Sequence, residues 1–373
     1  MMHLQRSPWA RGGSALGLSF GLPWALLCLI GACATADERG DALAPDASMV
    51  VPVSDAGDES PVDAAPQSEP CVVGELCRAT DDLPLVTITA MSGRSRSDVW
   101  AAGSGGVLLR WNGTEWTTVE SPIHETLTSI FLTADEMWGV AGKLAIRRTL
   151  DPASIRTARQ TDLAVSLAGI VVLPGDEPYV GVQAGWSYFS RLDMATAYLE
   201  PQLEAIHPLT QEPQWFVTPH ALFLVPDQVL WLVGDHGTVV RYPVTAAPQG
   251  GTPLLGQGVM VPVASQSNLV AAWGRDQHLW ATGGNGTILH FDGTKWQMEN
   301  TGTTATIHAV FGFALDDVWA AGDGGTVLHF DGQAWSPVGI GRYRGALRAI
   351  WGAAPDDVWF GGESGIFHWG ATP

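Results

Sequence analysis

The sequence DDVWAAGDGGTVLHFDGQAW, residues 316–335, decides the fold of this chain. An apolar run over 318–321 stops at Gly322-Asp323-Gly324-Gly325, apolar and polar residues alternate over 326–330, and Asp331-Gly332 turns the chain before Trp335 opens another strand. Strands joined this closely through Gly-rich and Asp-Gly turns form a β-meander.

The same grammar recurs seven times. Its second-strand aromatics are Trp100, Trp138, Tyr179, Trp231, Trp280, Trp319 and Trp359, separated by 38, 41, 52, 49, 39 and 40 residues. That spacing is the length of four short strands with their turns, one blade of a β-propeller. A strand ending in a large apolar residue precedes each good unit, as over 127–131, 269–273, 307–311 and 347–351. The sequence therefore predicts an all-β, seven-bladed propeller of four-stranded antiparallel blades over residues 71–373. The seventh unit ends at Trp369-Gly370 without a fourth strand, and an uncovered sheet edge is a liability. Residues 72–78 stand at the right spacing before the first inner strand to complete the last blade.

The turn-plus-tryptophan element, Asn112-Gly113-Thr114-Glu115-Trp116, Asp292-Gly293-Thr294-Lys295-Trp296 and Asp331-Gly332-Gln333-Ala334-Trp335, resembles the Asp-box of neuraminidase-type propellers. The whole unit more closely resembles the repeats of photosystem-assembly-factor-like proteins and of exported bacterial propeller lipoproteins. It differs from the Asp-box in having Arg110, His290 and His329 two residues before the Asn or Asp, where that motif has Ser or Thr. The resemblance implies the propeller fold far more than any activity.

A tryptophan at one fixed strand position per blade fills the gap between blades, although an aromatic row can also serve as a carbohydrate platform. The Asp or Asn before each Gly suits a tight turn by accepting backbone N–H bonds. Calcium binding by the GDGG turns is the alternative, and a single acid per turn argues against it. His290, His329 and His368 occupy equivalent positions on successive blades, too far apart to share a metal. Neither a metal nor a cofactor is expected. No nucleophile elbow, P-loop or zincin motif occurs, and the five tyrosines lack the glutamate partner a neuraminidase requires, so the chain reads as a binding module before an enzyme. The alternative is a neuraminidase-like carbohydrate-active enzyme.

Upstream of the repeats, Arg6 and Arg11 precede an uncharged apolar run over 15–32, the pattern of an export signal. Its ending, Leu29-Ile30-Gly31-Ala32-Cys33, resembles a lipobox, which implies cleavage before Cys33 and lipidation of that cysteine over a signal segment of residues 1–33. An uncleaved membrane helix and ordinary cleavage without lipid are the alternatives. Residues 34–70 are rich in Ala, Pro, Ser and acid with Arg39 as their one basic residue, and cannot build a core. Extended at about 3 Å per residue, such a tether reaches roughly 100 Å. Cys71 and Cys77, in an oxidising compartment, are expected to pair, with two free thiols as the alternative.

The formal net charge of −19, with Lys143 and Lys295 the only lysines, excludes a nucleic-acid partner. The expectation is a monomeric, extracytoplasmic, lipid-anchored protein at the outer membrane or cell surface whose partner is an envelope protein or a glycan. Units two and three depart most from the repeat, substituting Arg147-Arg148, Trp186-Ser187-Tyr188 and Gln214-Trp215-Phe216 for the Gly-rich turn and the DG-x-x-W hairpin. Function can enter there, or the sector has simply drifted. Trp186 and Tyr188, with Arg342 and Arg344, are the candidate partner contacts. Arg94, Arg96 and Arg275 form a second basic group, expected on the opposite face of the disc.

Overall fold

The computed structural model describes residues 76–79, 86–151, 153–160, 166–173, 177–183, 188–196, 198–201, 205–206, 213–214, 218–225, 229–245 and 254–370. They form seven antiparallel blades and no helix longer than a 3-10 turn. Blade one runs Ile88–Ser95, Asp98–Gly103, Leu108–Trp111 and Trp116–Thr118 from the channel outward. Blade two follows with Leu127–Leu132, Glu136–Ala141, Leu144–Leu150 and Ala153–Arg159, and blade three with Ser166–Leu173, Glu177–Gln183, Tyr188–Asp193 and Tyr198–Pro201. Blade five (Leu269–Arg275, His278–Gly283, Ile288–Phe291, Trp296–Met298) and blade six (Ile307–Ala314, Asp317–Gly322, Val327–Phe330, Trp335–Pro337) repeat the pattern of blade one.

Blade four departs from the pattern at its outer edge. Beyond Pro219–Val225, Val229–Gly234 and Val239–Thr245, two short pieces share the fourth position, Val259–Met260 pairing with Val240 and Arg241 and Leu254–Leu255 with Val244 and Thr245, and the sheet continues through Ala205–Ile206, parallel to Val259–Met260, to Pro213–Gln214. No DG-x-x-W hairpin is available there, so a longer excursion covers the edge.

Blade seven contributes Leu347–Ala354, Asp357–Gly362 and Gly365–Gly370, and its fourth strand is Leu76–Arg78. Leu76 faces Trp369, Cys77 faces His368 and Arg78 faces Phe367. The N-terminal segment thus closes the ring, as its spacing predicts. Cys77 is disulfide-bonded within this strand. Its partner, like Cys71, Cys33 and the boundaries at 33 and 70, lies outside the described residues.

Two devices hold blade to blade. Inner strands carry a glycine where the preceding blade's aromatic ring lies: a Cβ on Gly93 would stand 2.5 Å from the Trp351 ring, and one on Gly312 2.6 Å from Trp273. The last Gly of each Gly-rich turn pins the linker to the next blade. Gly286 has φ +67, its amide donates to the Ala305 carbonyl at 2.9 Å, and a Cβ there would meet the Thr303 carbonyl oxygen at 1.9 Å. Only glycine takes that conformation against that neighbour at little cost.

The core lies in the interblade gaps and is built around the second-strand aromatics, which are buried. Trp359 of blade seven contacts Trp111 and Trp116 of blade one at ring-centroid distances of 5.1 and 5.2 Å. Trp231 of blade four meets Phe291 and Trp296 of blade five at 5.7 and 6.3 Å. The outer hairpins of blades one and five each therefore insert an aromatic pair against the preceding blade's tryptophan. The large buried area and edge-to-face geometry of such pairs explain why the sequence keeps tryptophan at both places.

Candidate functional site

Behind the second-strand tryptophans of blades one, two, six and seven, the structure groups an acid and a base into one repeated constellation. Asp317 accepts from Trp319 Nε1 at 3.2 Å and bonds His329 Nε2 at 2.8 Å, while the His329 ring lies on the Trp319 ring at 4.4 Å. Blade seven repeats this with Asp357 and His368 at 2.8 Å. Blade one uses Asp98, Trp100 and Arg110, and blade two uses Glu136, Trp138 and Arg147, whose guanidinium lies 4.9 Å from the Trp138 ring. His329 and His368 thus each bond a carboxylate of their own blade. Base, ring and carboxylate contact one another inside a packed gap, which is structural work, although the buried Trp138 and Trp359 Nε1 groups find no acceptor among the described residues.

Blade five changes the acid to His278. His278 Nδ1 lies 3.0 Å from His290 Nε2, His290 stacks on Trp280 at 4.1 Å, and Glu299 approaches His290 Nδ1 at 3.4 Å. Burial, reinforced by the neighbouring His278, lowers the His290 pKa to about 4, and burial raises that of Glu299. Among the described residues no group of three or more His, Cys, Asp or Glu side chains is arranged to hold a metal.

The Asp-Gly hairpins act as turns. Asp292 Oδ1 accepts the backbone N–H groups of Thr294 and Lys295, both at 2.9 Å, and Asp331 does the same for Gln333 and Ala334. The Thr294 hydroxyl, which donates to Asp292 Oδ1 at 2.6 Å, together with these backbone bonds holds Asp292 below the ordinary aspartate range, and the backbone bonds do so for Asp331.

At one end of the channel, equivalent inner-strand positions place His220, His308 and Arg348 around a cavity of about 270 Å³ together with Thr89 and Thr128. Each base meets an acid from the turn of its own blade: His220 with Asp235 at 2.6 Å, His308 with Asp323 at 2.7 Å, Arg348 with Glu363 at 3.5 Å. The mouth is lined by acid–base pairs. On the same face lie the linker residues Arg342 and Arg344, both exposed. Arg344 donates to the Gly341 and Tyr343 carbonyls, whereas Arg342 makes no hydrogen bond among the described residues. Of the other basic group, Arg94 is engaged by Asp98, Arg96 by Asp356, and Arg275 by the Phe313 carbonyl. Those three guanidinium groups are spent on bracing one blade against the next.

Trp186 lies outside the described residues, and Tyr188 is described by its backbone alone, at the start of blade three's third strand. The opposite end of that strand holds the feature that distinguishes this sector. At the register where blade five has Phe291 opposite Trp296, and blade six Phe330 opposite Trp335, blade three has Leu192 opposite Leu199. The aromatic plug for Trp138 is therefore missing. A cavity of about 340 Å³ opens between blades two and three, bounded by Trp138, Pro178, Leu192 and Met194 and by three arginines, Arg147, Arg156 and Arg191. At the plugged gap between blades four and five, the corresponding cavity beside Trp231 and Arg241 measures about 160 Å³. Arg156 lies directly across the strand from Arg147, so two guanidinium groups share one patch of sheet. Contrary to the sequence expectation, Arg147 does not break the repeat but stands opposite Trp138 at the third-strand place of Arg110 and Arg241. Arg156 and Arg191 were not visible in the sequence, because their convergence depends on strand register and on packing between blades.

No protein-family model matches the chain, and no curated protein matches it. Solved structures share the fold. A structure described as YCF48 bound to a D1 peptide matches at 17% identity, covering 80% of this chain and 97% of that one, with a TM-score of 0.59. YCF48 from Cyanidioschyzon merolae matches at 14% identity, covering 79% and 98%, with a TM-score of 0.53. A virginiamycin B lyase from Staphylococcus aureus with quinupristin matches at 16% identity, covering 79% and 98%, with a TM-score of 0.63. At such identities the likeness is one of fold, and the fold hosts both binders and enzymes.

Proposed function

We propose that this protein is a binding or assembly module of the cell envelope, held by a lipid on Cys33 and an acidic tether, which presents its propeller to an envelope protein or glycan. The carrying observation is the unplugged gap between blades two and three. A repeat that fills the gaps before blades one, five and six with aromatic pairs has, before blade three, a polar cavity lined by three arginines instead, and packing alone does not select for such an exchange. YCF48, a propeller of this fold, is described with a bound D1 peptide, which supports a binding role of this general kind.

The test is affinity capture from envelope extract with the full chain and with a variant in which Leu192→Phe and Leu199→Trp rebuild the plug. The expected result is a retained partner that the plugged variant loses while it stays folded. Equal capture by both proteins overturns the reading. The anchor is tested separately by palmitate labelling, which the wild type should incorporate and Cys33→Ser should not, because one acyl chain alone anchors weakly and a multiply acylated cysteine firmly.

A further inference from the structure

We infer that the gap between blades two and three is a binding site for a carboxylate, carried on a ligand about the size of one sugar or amino-acid residue. The inference rests on the binding-module reading and assigns the chemistry of its site.

The charged side chains that line the cavity are Arg147, Arg156, Arg191 and Asp193. Asp193 keeps its negative charge, which the Thr196 hydroxyl and the Ala195 N–H stabilise and which Arg191 offsets, so with Arg147 set against Glu136 the surplus positive charge of the cavity is that of Arg156. Oδ1 accepts the Ala195 N–H at 2.8 Å, and Oδ2 accepts the Thr196 hydroxyl at 2.7 Å. Arg147 is held in place from behind, its Nε 2.9 and 3.0 Å from the two Glu136 oxygens and its guanidinium over the Trp138 ring. A cation fixed by a carboxylate and stacked on an indole is pre-organised, so little is lost in ordering it around a ligand. Arg191 stands on the facing blade, with Glu200 opposite it in the register. Arg156 is exposed and makes no hydrogen bond or ion pair among the described residues. One unpartnered guanidinium supplies the charge for one negative group, and its neighbours supply further N–H donors. That favours a monoanionic carboxylate over a phosphate dianion.

Size and walls agree. About 340 Å³ is at the small end of ligand pockets and suits a single residue-sized ligand. Leu192, Pro178 and Met194 give it an apolar wall against which a ring or side chain can rest while its acid group faces the arginines. Nothing comparable survives at the gap between blades four and five, where Phe291 and Trp296 occupy the corresponding space. In a protein with a net charge of −19, a pocket lined by three arginines is also where an anion is least repelled.

The test is calorimetric titration of the full chain at low salt with glucuronate and with an N-acetylated glutamate, each against a neutral counterpart, glucose or an N-acetylated glutamine, and with inorganic phosphate. The expected result is saturable binding of at least one carboxylate, no binding of its neutral counterpart, and weaker binding of phosphate. Which carboxylate binds separates a sugar acid from a peptide acid. Arg156→Ala and Arg191→Ala should each weaken binding about tenfold, the loss of one charge-assisted hydrogen-bonding group. Lys295→Ala, on a hairpin of blade five, should leave it unchanged. The plug-restoring double variant should bind nothing and keep its fold. Absence of carboxylate binding by the wild type, or binding that both arginine variants retain, overturns the inference. Partner capture that the plug abolishes without any carboxylate binding overturns it too, while leaving the binding-module reading standing. Carboxylate binding with unaltered partner capture supports the inference and counts against that reading.

Discussion

Leu76 faces Trp369 across the seam of blade seven, at the register where Trp296 faces Phe291 in blade five. A residue from the N-terminal end of the propeller thus stands where every regular blade puts its hairpin tryptophan, and Trp369 packs on Trp319 at 5.2 Å beneath it. Leu76→Asp should therefore act as a ring-opening substitution, setting a charge against an aromatic core. A loss of about 2 kcal/mol in urea unfolding is expected, with a larger hydrodynamic radius before the main transition. An unaltered unfolding curve would mean that the seam contributes nothing to the fold.

Trp359 is fully buried between Trp111, Trp116 and His368. Trp359→Ala should cost about 3–5 kcal/mol, the range for deleting a large core aromatic. Trp138→Ala should cost less, because its gap already contains open volume. Chemical denaturation of the two variants side by side checks the order, and the reverse order would contradict the missing plug.

Gly286→Ala forces a left-handed residue to carry a Cβ against the Thr303 carbonyl and threatens the Gly286 amide bond to Ala305. Gly284→Ala, two residues earlier, meets nothing within 4 Å. Thermal unfolding should separate the pair, the first losing about 1–3 kcal/mol and the second within about 0.5 kcal/mol of wild type.

His290 gives a pH dependence of definite sign. Its folded pKa is lowered from 6.5 to about 4, so between those values the unfolded chain takes up a proton that the folded chain refuses. This group's contribution to stability is present above the unfolded value, declines as pH falls through the window, and levels off below the folded value. His290→Phe, which keeps a ring on Trp280, should flatten that part of the stability profile. Proton NMR should place the His290 midpoint near 4, and a midpoint above 6 would contradict the buried His278 contact.

The architecture was legible in the sequence because it is written seven times. Period, inner strand and strand-two aromatic recur together, so a weak unit such as Tyr179's is fixed by its neighbours. The N-terminal closure was legible as an accounting problem, a last unit lacking a strand. The candidate pocket was not legible. Arg147, Arg156 and Arg191 belong to two blades and three strands, and no local pattern joins them. What could be read was the site of departure, since a repeat that loses its DG-x-x-W element has freed the space that element filled. Arg94, Arg96 and Arg275 show the converse. Their positive charges look available in the sequence, and their acid or carbonyl partners become evident only when neighbouring blades are brought together.

The closing strand has a mechanical meaning. Any pull on the chain that precedes the propeller enters it at Leu76–Arg78, three residues held by a ladder of three cross-strand pairs. The other blades are joined to their neighbours by covalent linkers, so tension on that chain concentrates at the single seam where the ring is fastened without one. The disulfide at Cys77 ties this strand into a covalent loop. A load on that chain should therefore open the ring at this seam before it alters anything at the far side of the disc.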